Sequence, residues 1–435
     1  MQLKLWKASA IPADWIESRK KMNWGITEEL EDHVKTIIYQ VRKRGDAALA
    51  EYTKKFDDAS LDPAGLRVTP EEIKAAYDAV TNEQLSALKL MKKKLETIEK
   101  HALSQTCVLM ENDGVTVRSC SSPIRSVGCY VPGGSAAYPS TLIMTVTPAK
   151  VAGVPRVVVC SPPTSSCEIN PLTLVAADIC NVDEIYRVGG PQAISALAYG
   201  TESIKPVKKI VGPGNRYVTT AKVLVSRDVA IDMPAGPSEI LVLADKTADP
   251  KIVALDMISQ AEHGVDSVSG LITTSKDLAK KVAKRLEATA SSVPREKIVA
   301  ESLSSHGFVI IFKTLDQMIR FANDFAPEHI EVITKDSMEV AKKVTSAGLV
   351  LVGPYTPVSA SDYCLGTNHV LPTSGFGQIY SGLSVHDFIR RVNIVECSKD
   401  GLKKIKENVK ILAESENLPN HYLAVKGRLN LEETK

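Results

Sequence analysis

The chain is expected to be an α/β protein of two doubly wound units with helical segments at both ends. Three observations carry that expectation. From about residue 124 onward, short apolar runs alternate with helix-length segments; several of these runs end in glycine-rich turns; and both ends of the chain are charged and helical in pattern. Strand, helix, strand at this spacing requires parallel pairing with right-handed crossovers.

The first hundred residues read as helices. Positions 18–22 form a basic patch, and 28–44 carry helical periodicity through Leu30, Val34, Ile37, Ile38 and Val41. Thr69-Pro70-Glu71-Glu72 is a capping box with proline at the first helical position, and a charged helix follows around 90–101. Strands are then expected at 126–131, 156–160, 185–188, 208–211 and 239–244, separated by helices over 139–153, from Asn170-Pro171, over 191–200 and over 216–226. The rhythm continues with a helix from Asp249-Pro250, strands at 269–274, 307–312, 330–334 and 349–353, and an amphipathic helix over 276–288. After about Ser384 the chain turns helical and charged, with 403–415 the best-defined segment.

With 435 residues the chain exceeds one core and has room for about three domains. Lys+Arg 53 against Asp+Glu 51 gives a net charge of +2, too little to hold a phosphate backbone or an anionic membrane. Aromatics at 5% weaken any function built on base stacking. Residues 1–10 lack the apolar run of a secretory signal and no stretch is long enough for a membrane span, so a cytoplasmic location is expected. Eight cysteines without a Cys-x-x-Cys pair fit a reducing compartment; Cys129, Cys160, Cys180 and Cys397 lie in apolar or strand-like runs and are expected to be structural.

Four constellations could carry chemistry. The loops at 128–135, 188–193 and 211–215 each follow an expected strand and precede a helix, where doubly wound sheets bind nucleotides. None is a full G-x-G-x-x-G: Gly212-Pro213-Gly214 begins the pattern and Tyr217 ends it, so ordinary turns and phosphate cradles both remain open. Gln260 and His263 share a face at the end of a helix that Gly264 is expected to terminate, a place favourable to a cation, though a histidine there also simply caps carbonyls. Glu328-His329 at the mouth of a strand could serve as two general bases or form a polar loop. The segment 359–373, with Asp362 and His369, is too small and polar for a core strand and reads as a site loop. His421, five residues after Glu416, falls on a helical tail where both would be solvated.

Seven segments together bear a family likeness: YVPGGSAAYPST (130–141), VGPGNRYVT (211–219), AIDMPAGPSE (230–239), SQAEHG (259–264), PEHIEV (327–332), DYCLGTNHVLPT (362–373) and ENLPNHYLAV (416–425). The chain resembles histidinol dehydrogenase, in order and without a major gap from about Asp46 to Arg428. The resemblance implies NAD-dependent, four-electron oxidation of L-histidinol to L-histidine through the aldehyde, with one zinc per subunit. It assigns Gln260, His263, Asp362 and His421 to zinc, and Glu328 and His329 to acid/base work. Tyr130, Gln192 and Asn215 go to NAD. Ser238, His369 and Glu416 go to the substrate, joined there by Tyr363, His329 and the four zinc ligands.

It further implies two incomplete Rossmann-like domains with short helical arms. The N-terminal arm would be 1–27, the larger domain 28–129 with 239–383, the smaller NAD-contacting domain 130–238, and the C-terminal dimerisation tail 384–435. In a homodimer that tail would complete the partner's site. Cys364-Leu365 departs from the small residues of many relatives and touches the expected pocket. A same-fold zinc and NAD dehydrogenase for another amino alcohol or a sulfonated diol is the alternative, against which the retained His369 and Glu416 speak.

Overall fold

The computed structural model describes residues 4–11, 15–16, 26–133, 137–290 and 292–430. The basic patch at 18–22 lies outside them. Two parallel sheets and one antiparallel sheet organise the chain.

The strands, in chain order, are β1 Lys4–Lys7, β2 Val108–Asn112, β3 Val115–Pro123, β4 Val127–Tyr130, β5 Val157–Ser161, β6 Glu184–Arg187, β7 Lys209–Val211, β8 Ala230–Ile231, β9 Glu239–Ala244, β10 Val268–Thr273, β11 Phe308–Ile311, β12 His329–Ile333, β13 Leu349–Val352 and β14 Ile389–Cys397. The first parallel sheet has the order β6-β5-β4-β7-β8 and the second β1-β11-β10-β9-β12-β13. Continuous apolar runs make both: β4, β5, β9 and β10 are buried at every residue, as strands covered by helices on both faces must be. In each sheet the chain leaves a central strand in one direction and later returns beside it, at β4 and at β9, which creates a switch point.

Local signals end the helices where the sequence placed them. Thr69 and Glu72 form the reciprocal capping box, and Asn170, Asn215 and Asp249 accept hydrogen bonds from the first turn of their helices. The helix over Pro250–Ala261 stops short of the expected Gly264: its C-cap is Glu262, and Gly264 is absent from the residues with positive φ.

Two further features differ from expectation. The described part of the N-terminal arm is a strand, β1, paired in parallel with β11, followed by a short 3-10 turn at Ala8–Ala10. The C-terminal tail begins with the nine-residue strand β14, antiparallel to β3, before the helices Lys399–Ser415 and Pro419–Leu429. The segment 28–104 packs on the five-stranded sheet. Leu30, Val34, Ile37 and Leu49 share a core with Val158, Ile194 and Val218, and Leu88, Met91 and Leu95 with Val127, Leu142 and Val159. The apolar faces of these helices are buried against β4 and β5, and the same core reaches Val370 and Leu383.

Cys129, Cys160 and Cys180 are buried, as expected, and burial pushes the thiols of Cys129 and Cys180 up to about 12 and about 11. Cys397 lies on β14 and is exposed rather than buried, like nearly the whole of that strand.

Candidate functional site

The switch point of the five-stranded sheet gathers the glycine loops. Tyr130 ends β4, and its hydroxyl accepts the Gly190 N–H at 3.1 Å across the next loop. Gln192 is fully buried, and neither atom of its amide has a hydrogen-bond partner. Asn215 caps the helix Arg216–Val225 through Tyr217 N (3.0 Å) and Val218 N (3.2 Å) and is itself exposed.

Gly212 is what lets these groups approach. Its φ is +116°, and a Cβ there would lie 2.1 Å from the Tyr130 carbonyl oxygen. A buried ion pair that the sequence reading missed braces this loop. The Asp232 carboxylate accepts Gly212 N–H at 2.8 Å, the Lys222 ammonium donates to Gly212 O at 2.9 Å and Met233 O at 3.3 Å, and the two side chains pair directly.

The acid/base pair lies on the opposite edge of the other sheet. Glu328 precedes β12 and His329 opens it, so both sit at the amino ends of the strands, where Ser238 also stands just before β9. The helix Pro250–Ala261 runs antiparallel to the strands it crosses over, and this brings Gln260, at its end, to the same edge. Gln260 is 1% exposed with both amide atoms unpartnered. His263 follows, exposed, on the turn beyond the helix.

Backbone Glu239 orients both members of the pair. Its N–H donates to Glu328 Oε2 at 2.8 Å, and its carbonyl lies 3.2 Å from His329 Nδ1. That contact places the ring proton on Nδ1 in the neutral tautomer and leaves Nε2, which has no hydrogen-bond partner, as the free acceptor. Burial pushes the His329 pKa down, but the Glu328 carboxylate at 3.6 Å and Asp362 at 3.8 Å outweigh it and hold the ring above its usual value.

The loop after the helix Val358–Ser361 completes the constellation. His369 Nδ1 donates to the Asp362 carbonyl at 3.0 Å, and its Nε2 lies 3.4 Å from Thr141 Oγ1 at the start of the helix Pro139–Val151. Burial lowers the His369 pKa, which favours the neutral ring. Asn368 Nδ2 bonds Met144 O at 2.8 Å beside it. The 359–373 loop thereby joins the carboxyl edge of one sheet to the amino edge of the other. Tyr363 is 57% exposed, and its hydroxyl pKa is raised by partial burial together with Asp362 and Glu262.

Glu416 and His421 do not join this group within one chain. Both are exposed on the tail, whose two helices pack on each other, and helix 399–415 touches the β2–β3 turn through Lys404 and Asp113 at 3.0 Å. Among the described residues, no three His, Cys, Asp or Glu side chains of a single chain are placed to hold a metal ion together. Of the contacts that build the site, the sequence reading named none of Thr141, Lys222, Asp232 and Glu239, although Thr141, Asp232 and Glu239 fall within the quoted segments.

Two doubly wound sheets, with glycine loops at the carboxyl ends of one and a buried carboxylate–imidazole pair at the amino ends of the other, make this an α/β protein with a candidate site. Comparison with known proteins gives the family. A histidinol dehydrogenase profile matches residues 20–429. The histidinol dehydrogenases of Methanosarcina mazei and Bacteroides thetaiotaomicron are each 45% identical, over 94% and 93% of this chain respectively and 94% of their own length. The crystal structure of histidinol dehydrogenase from Elizabethkingia anophelis superposes with a TM-score of 0.90 at 38% identity, covering 98% of each chain. The chain belongs to the histidinol dehydrogenase family.

Proposed function

We propose that the protein oxidises L-histidinol to L-histidine, with NAD⁺ accepting hydride twice at one zinc-containing site. The observation that carries this reading is the buried Glu328–His329 pair, oriented by one backbone residue and facing Asp362 and His369.

The donor set fits a zinc ion. Gln260 holds an amide oxygen in a buried position with no partner, Asp362 presents a carboxylate on the same edge, and His263 stands at the end of the helix. Oxygen and imidazole nitrogen together suit this borderline cation. His421 would be the fourth ligand, supplied by the tail of a second copy. The apolar surface of the tail and of the antiparallel sheet it joins supports such a dimer: Leu109 and Met110 on β2 are each 58% exposed, Val395 61% and Leu412 62%. When bound, the ion would orient the substrate's amino and imidazole nitrogens and polarise the reacting oxygen.

The remaining chemistry rests on this chain's own groups. In the first oxidation His329 Nε2 takes the hydroxyl proton while hydride leaves the carbinol carbon for NAD⁺. Glu328, with Oε2 held by the Glu239 amide, takes a proton from the water that adds to the aldehyde, while His329 returns its proton to the aldehyde oxygen, which gives the hydrate and a neutral ring. His329 then removes the hydroxyl proton of the hydrate as the second hydride departs. Tyr130, Gln192 and Asn215 would hold the nucleotide at the switch point, and Ser238, His369, Tyr363 and Glu416 the substrate. Confining the aldehyde between two units and a partner's tail would keep it from escaping. A cytoplasmic homodimer fits this role. Among the described residues, no helix is long and apolar enough to cross a membrane.

The test is a stoichiometry. Zinc-loaded protein should reduce two NAD⁺ per L-histidinol consumed, lose the activity to a chelator and regain it with zinc. Protein that takes up zinc yet reduces no NAD⁺ with histidinol would refute the reading, and faster turnover of another amino alcohol or a sulfonated diol would replace the substrate.

A further inference from the structure

Two acidic side chains outside the reacting pair lie buried behind it. Glu331 is 2% exposed on β12 and Asp256 is 8% exposed on the helix Pro250–Ala261; the two carboxyl groups are neighbours, and Glu331 Oε2 is buried with no hydrogen-bond partner of its own. Glu331 Oε1 also accepts the Val358 N–H at 2.8 Å. The surroundings are apolar. Glu331 stands in register with Val242 of β9 and Leu351 of β13. The helices packed against Asp256's helix present Leu278, Ala279, Val282 and Leu286 from one side and Val299, Ser302 and Leu303 from another, and the helix Val358–Ser361 presents Val358 and Ser361. None of these groups titrates, and no Lys or Arg side chain is among them.

Two carboxylates in contact in such a place cannot both ionise without large Coulomb and desolvation penalties. A single proton between them turns repulsion into a short, charge-assisted O–H···O⁻ bond, with the Val358 amide as a second donor. What this bond connects gives it a role. Glu331 is two residues from His329 on the same face of β12, Asp256 is one helical turn from Gln260, and Val358 is one turn before Asp362, whose N–H bonds the Val358 carbonyl at 2.9 Å.

We infer that Asp256 and Glu331 share one proton and together act as a positioning latch that fixes Gln260, His329 and Asp362 relative to one another. The latch rests on the reading of those three residues as metal and base groups. It places in the scaffold, and outside the reacting shell, two residues on which metal affinity depends.

The test uses the full-length protein with E331Q and D256N, which keep a donor and an acceptor at the contact, and E331A and D256A, which abolish it. Zinc affinity is measured at pH 7 by competition with a chelating indicator. The alanine variants should bind zinc about 10–100-fold more weakly, the size usual for groups that orient metal ligands, and the amide variants should restore most of it. Alanine variants that bind zinc as tightly as the parent overturn the latch. Should they fail to fold, D256N/E331Q decides, since it must bind zinc like the parent, and a tenfold loss overturns the inference.

A second arm needs no metal. Burial and the Asp256 charge hold Glu331 well above the usual carboxylate range. The unfolded chain therefore releases this proton at lower pH than the native one, and the native metal-free protein loses stability as pH rises from the unfolded value toward the raised folded one. E331Q has no such proton, so its margin over the parent should widen across that interval. Parallel stability curves overturn the shared proton. Parent protein that takes up no zinc would instead sink the functional reading and leave this second arm to judge the pair.

Discussion

Replacing Lys222 with methionine should be among the most damaging single changes outside the reacting groups, and its size follows from the surroundings. Lys222 is 2% exposed, and its ammonium meets three partners: the Asp232 carboxylate, Gly212 O and Met233 O. Methionine preserves the aliphatic stem, so little cavity forms. The loss is electrostatic: a buried carboxylate left without its cation costs about 3–5 kcal/mol. Asp232 still accepts Gly212 N–H, so D232N in the same chain removes the stranded charge while retaining that bond. The double variant should recover that charge penalty and leave only the cost of the two orphaned carbonyls, about 1–3 kcal/mol each. Urea denaturation followed by circular dichroism measures these values. Because Gly212 positions the loop at the β4–β7 switch point, K222M should also raise the KM for NAD⁺ while leaving that for histidinol near the parent value. A loss below about 1 kcal/mol, or a double variant no more stable than K222M, would refute the argument.

The remaining predictions probe separate groups. Glu99, 4% exposed, is pushed up to about 7 by burial and Asp387 against the Val385 N–H that bonds it at 2.7 Å. Its pKa is raised on folding, so the native state should lose about 3 kcal/mol as pH rises from 4.5 toward 7 and no more beyond. E99Q should lack that fall, and an identical pH-stability curve would contradict it. Glu328→Gln should slow oxidation of the aldehyde more than that of the alcohol, read by supplying each separately, and equal slowing contradicts the division of labour with His329. His421→Ala and Glu328→Gln proteins, each inactive overall, should regain up to about a quarter of parental activity when unfolded and refolded together, because half the dimers are mixed and one of their two sites is intact. No recovery would place the tail in its own subunit's site.

What the sequence disclosed depended on how each group is solvated. β4, β5 and β9 are legible because strands buried on both faces become nearly continuous apolar runs. β2 and β14 escape the same reading: they are exposed along nearly their whole length, and their apolar residues alternate with charges for no core within the chain. Their exposed apolar atoms are what the proposed dimer would cover, as it would give Glu416 and His421, exposed in the single chain, a role. Glu331 did carry a signal that went unused. A carboxylate inside a strand whose neighbours are all core residues must find a proton or a cation, and the sequence around it, HIEVI, offers no cation. Lys222, within a helix otherwise buried at Val218, Ala221 and Val225, demanded a carboxylate on the same grounds. In both cases the partner lay on another element, at Asp256 and at Asp232, and only the fold could name it. The spread of site residues along the chain has one cause as well. The glycine loops occupy the carboxyl edge of one sheet and Glu328–His329 the amino edge of another, so no single strand–loop–helix unit could hold all the candidate residues.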